Sequence, residues 1–271
     1  MARTRTVGHW FRWWTEWRHL PVVDRDGAFE TPLQRRRHPS LDWSLVRNSL
    51  PCASTEVIEM LDFGAALGEE GMTRRLAVGQ LEQTASTDRR KALWLAALSQ
   101  SVGSSSFQDP VILELGTCLG AGAVSLVLGA GGRCRYVGLE GSPDLAALTG
   151  QRLSKTAPQA SVDLRVGPFR DTLPTLLSEE PHFDVVFLDG HHDGHILLEQ
   201  WERLRPFVRP GGWVVVDDIR WSQDMQTAWN TLAHQPDVKA VDLFRMGALR
   251  SSGPGQGTSG GPSRVPSLLL A

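Results

Sequence analysis

From residue 109 to about 249, short apolar runs alternate with longer segments whose apolar residues recur every three or four positions. The runs predict strands at "VILEL" (111–115), "RYVGLE" (135–140), "VDLRVG" (162–167), "FDVVFLD" (183–189), "GWVVVDD" (212–218) and "VKAVDLF" (238–244). Between them, helices are predicted near 120–130, 143–155, 170–179, 194–206 and 222–234. Strands and helices in strict alternation build βαβ units around a parallel sheet, so the fold class is α/β. Upstream, "ASTEVIEMLDFGAAL" and "STDRRKALWLAALSQSV" each carry an apolar stripe and read as helices. The second opens on a Ser/Thr/Asp cluster suited to an N-cap.

The rest of the chain has a different texture. Residues 1–50 are expected to form an arm or lid, with Trp10, Trp13, Trp14 and Trp17 at helical spacing followed by the basic "PLQRRRHPS". A helix docked on its own domain or on a second copy of the chain is the simplest use of such a stripe. Residues 51–105 are expected to be a helical prelude, 106–250 the core, and the Gly/Ser/Pro-rich residues 251–271 a disordered tail. A formal net charge of -2 gives no overall attraction to nucleic acid. No apolar stretch is long enough to span a membrane. Three scattered cysteines, Cys52, Cys118 and Cys134, fit a reducing compartment, and a cytoplasmic location is expected.

Open parallel sheets bind ligands beyond the carboxyl ends of their strands, so the residues closing each strand carry the chemistry. The first strand runs into "ELGTCLGAG", a glycine-rich turn opening a helix, whose spacing is neither G-x-G-x-x-G nor a P-loop. The second ends at Glu140, placed to accept hydrogen bonds from both hydroxyls of a ribose. The fourth ends at Asp189, inside "FLDGHHDGH", and the fifth at Asp217 and Asp218. If these strands adjoin the first, three carboxylates meet in one crevice and need protons or a cation to coexist. All-oxygen ligands favour Mg²⁺, Mn²⁺ or Ca²⁺ over zinc.

These motifs resemble those of the class I S-adenosylmethionine-dependent methyltransferases, and among them the cation-dependent O-methyltransferases of the catechol and caffeoyl-CoA type. "LELGTCLGAGAVSL", "YVGLEGSPDLAAL", "VGPFRDTLPTL", "VVFLDGHHDGH" and "VVVDDIRW" carry the likeness, over about residues 85–249. "DGHH" is also similar to the corresponding loop of bacterial O-methyltransferases acting on sugars and secondary metabolites. The resemblance implies a Rossmann-like fold with a mostly parallel seven-stranded sheet and helices on both faces. It implies S-adenosylmethionine held by Glu114, Gly116, Thr117, Gly120, Glu140, Gly141, Gly167, Pro168, Phe169 and Asp189. It also implies Mg²⁺ or another divalent cation on Asp189, Asp217 and Asp218.

Two positions depart from the family pattern. His192 stands where the catechol-type enzymes carry a lysine base, and Asp218 where an Asn is common. The expected reaction is O-methylation of a small hydroxylated acceptor such as a sugar diol or catechol, with Asp189 and His192 as catalytic residues. An imidazole titrates near neutrality and can take the hydroxyl proton. Trp221 and His191 are candidate substrate contacts. Three alternatives remain open: a metal-independent methyltransferase relying on His192, a nucleic-acid methyltransferase using "QRRRH", and a non-catalytic cofactor-binding module. The "DGHH" loop and the lack of basic charge argue against nucleic acid.

Overall fold

A computed structural model describes residues 41–48, 55–62, 72–103, 109–179, 182–236 and 238–251. The Trp-rich stripe and the expected oligomer contact it would make lie outside the described residues, as does the tail after residue 251.

The core alternates as the apolar pattern requires. Strands β3 (Val111–Leu115), β4 (Arg135–Glu140), β5 (Ser161–Val166), β6 (Phe183–Leu188) and β7 (Val208–Val216) are followed by helices α4 (Ala121–Gly129), α5 (Pro143–Thr156), α6 (Phe169–Glu179), α7 (Gly194–Leu204) and α8 (Gln223–Ala233). Two further strands, β8 (Val238–Asp242) and β9 (Gly247–Ser251), complete a seven-stranded sheet in the order β5-β4-β3-β6-β7-β9-β8. Strand β9 runs antiparallel to both neighbours. It is a strand the sequence pattern did not announce, and β7 begins earlier than expected, at Val208.

Both faces of the sheet are covered, which is why every residue of β3 and β6 is buried and both read as mostly apolar, each broken by one acid (Glu114, Asp184), rather than as alternating strands. Ile112, Tyr136, Val185, Phe187 and Trp213 pack on one side with helix α3 (Arg89–Gly103) and α4. Leu113, Leu115, Val137, Val186 and Val214 pack on the other with α6, α7 and α8. Each central strand therefore pins its register twice.

Before the core the first of the two expected helices gives way to a strand at Val57–Asp62. Helix α1 (Trp43–Asn48) and helix α2 (Val78–Ala85) flank an antiparallel hairpin of β1 (Val57–Asp62) and β2 (Met72–Ala77). "VIEM" fits either period over so short a window. The decisive feature is alternation: Ile58 is buried and Met60 half-buried, while Val57 and Glu59 face outward. Helix α3 behaves as expected, and Asp88 caps it, its Oδ1 accepting from the backbone N–H of Arg90 at 2.8 Å and of Lys91 at 3.0 Å.

Candidate active site

The sheet order makes β4, β3, β6 and β7 consecutive, so their carboxyl ends open on one crevice. At the end of β3 the chain turns through Gly116 at φ +89°. A Cβ there would lie 2.6 Å from the carbonyl oxygen of Asp189, at the end of the neighbouring strand, so only glycine fits. Gly120, also left-handed at φ +75°, starts α4.

Glu140 ties this loop to β4. Its Oε2 accepts from the backbone N–H of Cys118 at 2.9 Å and from the Thr117 hydroxyl at 3.2 Å, and its Oε1 accepts from the N–H of Ser142 at 3.0 Å. Burial raises the Glu140 pKa, and these hydrogen bonds partly offset it. Glu114 lies deeper, on the face it shares with Tyr136, whose hydroxyl donates to its Oε2 at 2.5 Å. Burial pushes the Glu114 carboxyl up to about 8. Glu114, Gly116, Thr117 and Asp189 line a small recess with Cys118, whose thiol burial raises to about 12.

Gly141 follows Glu140 in the turn before α5, and Gly167 (φ +141°) ends β5. Pro168, Phe169 and His191 line a cleft between the start of α6 and α7, with the Phe169 and His191 rings edge to face at 5.2 Å. A left-handed glycine turn, a carboxylate at the next strand end and an aromatic-walled cleft fit a nucleoside cofactor. His191 is thereby placed against Phe169 rather than with Trp221.

The loop after β6 divides its polar residues among different tasks. Asp193 caps α7, accepting from the N–H groups of His195 at 2.9 Å and Ile196 at 3.0 Å, and His195 is exposed. Asp189 and His192 face the acids at the end of β7. The His192 ring lies 4.8 Å from the ring of Trp221. Burial lowers the His192 pKa, against the pull of Asp218 and Asp217, so the neutral imidazole is favoured.

The three predicted acids do converge, but a lysine stands among them. Lys91, in the first turn of α3, donates to Asp217 Oδ2 and lies 3.3 Å from Asp218 Oδ1. Arg245 joins Asp218 (3.3 Å) to Asp88 (3.2 Å), the residue that caps the same helix. Burial opposes the Lys91 charge, yet Asp217, Asp189 and Asp218 together hold its pKa above the ordinary value. Burial and repulsion from Asp217 hold Asp189 well above an ordinary aspartate, with Lys91 offsetting part of it. Asp218 is lowered, because Lys91 and Arg245 outweigh its burial, and it adopts a left-handed φ of +46°. Among the described residues no group of three or more His, Cys, Asp or Glu side chains is placed to hold a metal ion. The expected divalent-cation site therefore does not fit this arrangement, since the ammonium already meets two of its three ligands.

Lys91 was not among the residues singled out in the sequence, where it sits in the basic run "DRRK" 126 residues before Asp217. A signal was available. Trp94, Leu95 and Leu98, three, four and seven residues on, are all buried, so Lys91 lies on the apolar face of its helix.

Comparison with known proteins shows what the chain is similar to. Residues 113–219 match a family model described as a methyltransferase domain. A catechol O-methyltransferase of Mycobacterium tuberculosis is 33% identical over 145 residues, 53% of this chain and 61% of its own length. Another, from Niastella koreensis, is 31% identical over 109 residues, 40% of this chain and 48% of its own. The chain thus spans less than two thirds of either relative. The fold is shared with an O-methyltransferase from Bacillus cereus solved with SAH, at a TM-score of 0.55 and 19% identity over 81% of this chain and 96% of that one. Among the described residues no helix is long and apolar enough to cross a membrane. Residues 113–219 are thus similar to a methyltransferase domain, and they lie in a Rossmann-like fold that the Bacillus cereus O-methyltransferase shares.

Proposed function

We propose that the chain transfers a methyl group from S-adenosylmethionine to a hydroxyl oxygen of a small acceptor. The observation that carries this reading is the meeting, at four adjacent strand ends, of a glycine loop braced by Glu140 with a half-buried imidazole at His192. The bound cofactor supplies a methyl carbon on a positive sulfur, open to in-line displacement by an oxygen, with S-adenosylhomocysteine as the leaving product.

In this reading Glu140 receives the ribose hydroxyls, Gly116 and Thr117 give close backbone approach, and Pro168, Phe169 and His191 border the adenine. His192, kept neutral by burial, accepts the hydroxyl proton as the carbon–oxygen bond forms. Trp221 stacks beside His192 and walls the acceptor side. Holding oxygen and methyl carbon in line supplies a large part of the acceleration, with proton acceptance by His192 adding to it. The catechol O-methyltransferase relatives support an acceptor with neighbouring hydroxyls, and a catechol is the first probe. A divalent cation on Asp189, Asp217 and Asp218 has no part in this reading, since Lys91 already engages two of those acids.

The test is transfer of label from methyl-labelled S-adenosylmethionine to a panel of catechols and sugar diols. Labelled methyl ether that disappears in His192→Ala supports the reading. Equal turnover in that variant would remove His192 from the reaction, and a folded protein that labels none of the panel would contradict the acceptor class.

A further inference from the structure

We infer that Lys91 is a built-in counter-cation, standing where related O-methyltransferases would place a divalent ion, and that it positions the acceptor oxygen beside His192. The inference rests on the methyl-transfer reading for its catalytic half only; the electrostatic half stands on the side chains themselves. Lys91 pairs with Asp217 and Asp218, and Arg245 with Asp218 and the more exposed Asp88, so two cations thread one linked set of carboxylates, with Asp189 beside them, its pKa raised. The lysine side chain is only 8% exposed and Asp217 3%, so water does little to screen them. A divalent ion entering this cluster would have to expel a buried ammonium or sit against it.

The placement is fixed from two directions. Asp88 caps the helix that carries Lys91, and the same Asp88 receives Arg245, which in turn holds Asp218. The helix start and the end of β7 are thus fastened by one chain of contacts. An ammonium has three N–H donors. Asp217 and Asp218 take two, leaving one able to meet an oxygen in the crevice that His192 faces. An oxygen so held would be oriented and its developing negative charge stabilised, the service a Lewis acid gives in a metal-bearing site.

The experiment titrates chelator-treated full-length chain with Mn²⁺ and follows the electron paramagnetic resonance of the free ion. Wild type should take up no Mn²⁺ saturably, whereas Lys91→Met should bind one ion per chain and Lys91→Arg should behave as wild type. Once an acceptor is known, wild-type turnover should survive chelator, and Lys91→Met should lose about a hundredfold and recover with Mn²⁺. Stoichiometric Mn²⁺ uptake by wild type would overturn the inference, whether or not the Met variant folds. So would a folded Lys91→Met that binds none. S-adenosylhomocysteine binding, measured in parallel, separates this failure from failure of the methyltransferase reading.

Discussion

His192 is a base only while neutral, and burial extends its neutral range downward by lowering its pKa from the usual value near 6.5. The rate per encounter, kcat/KM, should therefore hold constant through neutral pH and fall only as the pH drops below that ordinary value. His192→Ala should cost on the order of 10²–10⁴ in rate with S-adenosylhomocysteine affinity kept. Glu114 works in the opposite sense. Its folded pKa of about 8 exceeds the ordinary 4.5, so the folded chain holds a proton that the unfolded chain releases. Its stabilising contribution is complete below 4.5 and is lost as the pH rises through about 8. Glu114→Gln, which imitates the protonated acid, should flatten the fall in Tm across that window; an unchanged slope would assign it elsewhere. Most of these residues were legible as strand-end carboxylates and a histidine after an apolar run. Lys91 was legible only as a lysine on the apolar face of its helix; its partners were not, because they lie 126 residues along the chain.

Elements that bury both faces, such as β3 and β6, could be read from their apolar runs. The β1–β2 hairpin could not, because its pairing partner lies beyond an intervening segment and six residues fit two periods. β9 was also hidden: "GALRS" has no apolar run of its own and is a strand because β7 and β8 pair with it on either side. At this scale the cap of α3 is testable. Asp88→Ala removes two backbone hydrogen bonds and the Arg245 contact, and should cost about 1 kcal/mol in denaturant unfolding. Asp88→Asn should recover most of the cap while losing the ion pair. Gly116→Ala should lower the midpoint of denaturant unfolding, since its Cβ would press on the Asp189 carbonyl at a left-handed φ.

Across the whole molecule, the sheet order brings the glycine loop and the acid cluster together, and the central claim is that this crevice holds a methyl donor. Fold and family-model match agree on the domain, while its chemistry rests on Glu140, Gly116 and His192 acting where they stand. The most direct test is a calorimetric titration of the purified, chelator-treated protein with S-adenosylhomocysteine, repeated with Glu140→Ala. The account predicts saturable one-site binding in wild type and at least about tenfold weaker binding, or 1.4 kcal/mol, in the variant. No binding by folded wild type would contradict it, and equal affinity in the variant would remove Glu140 from the cofactor site.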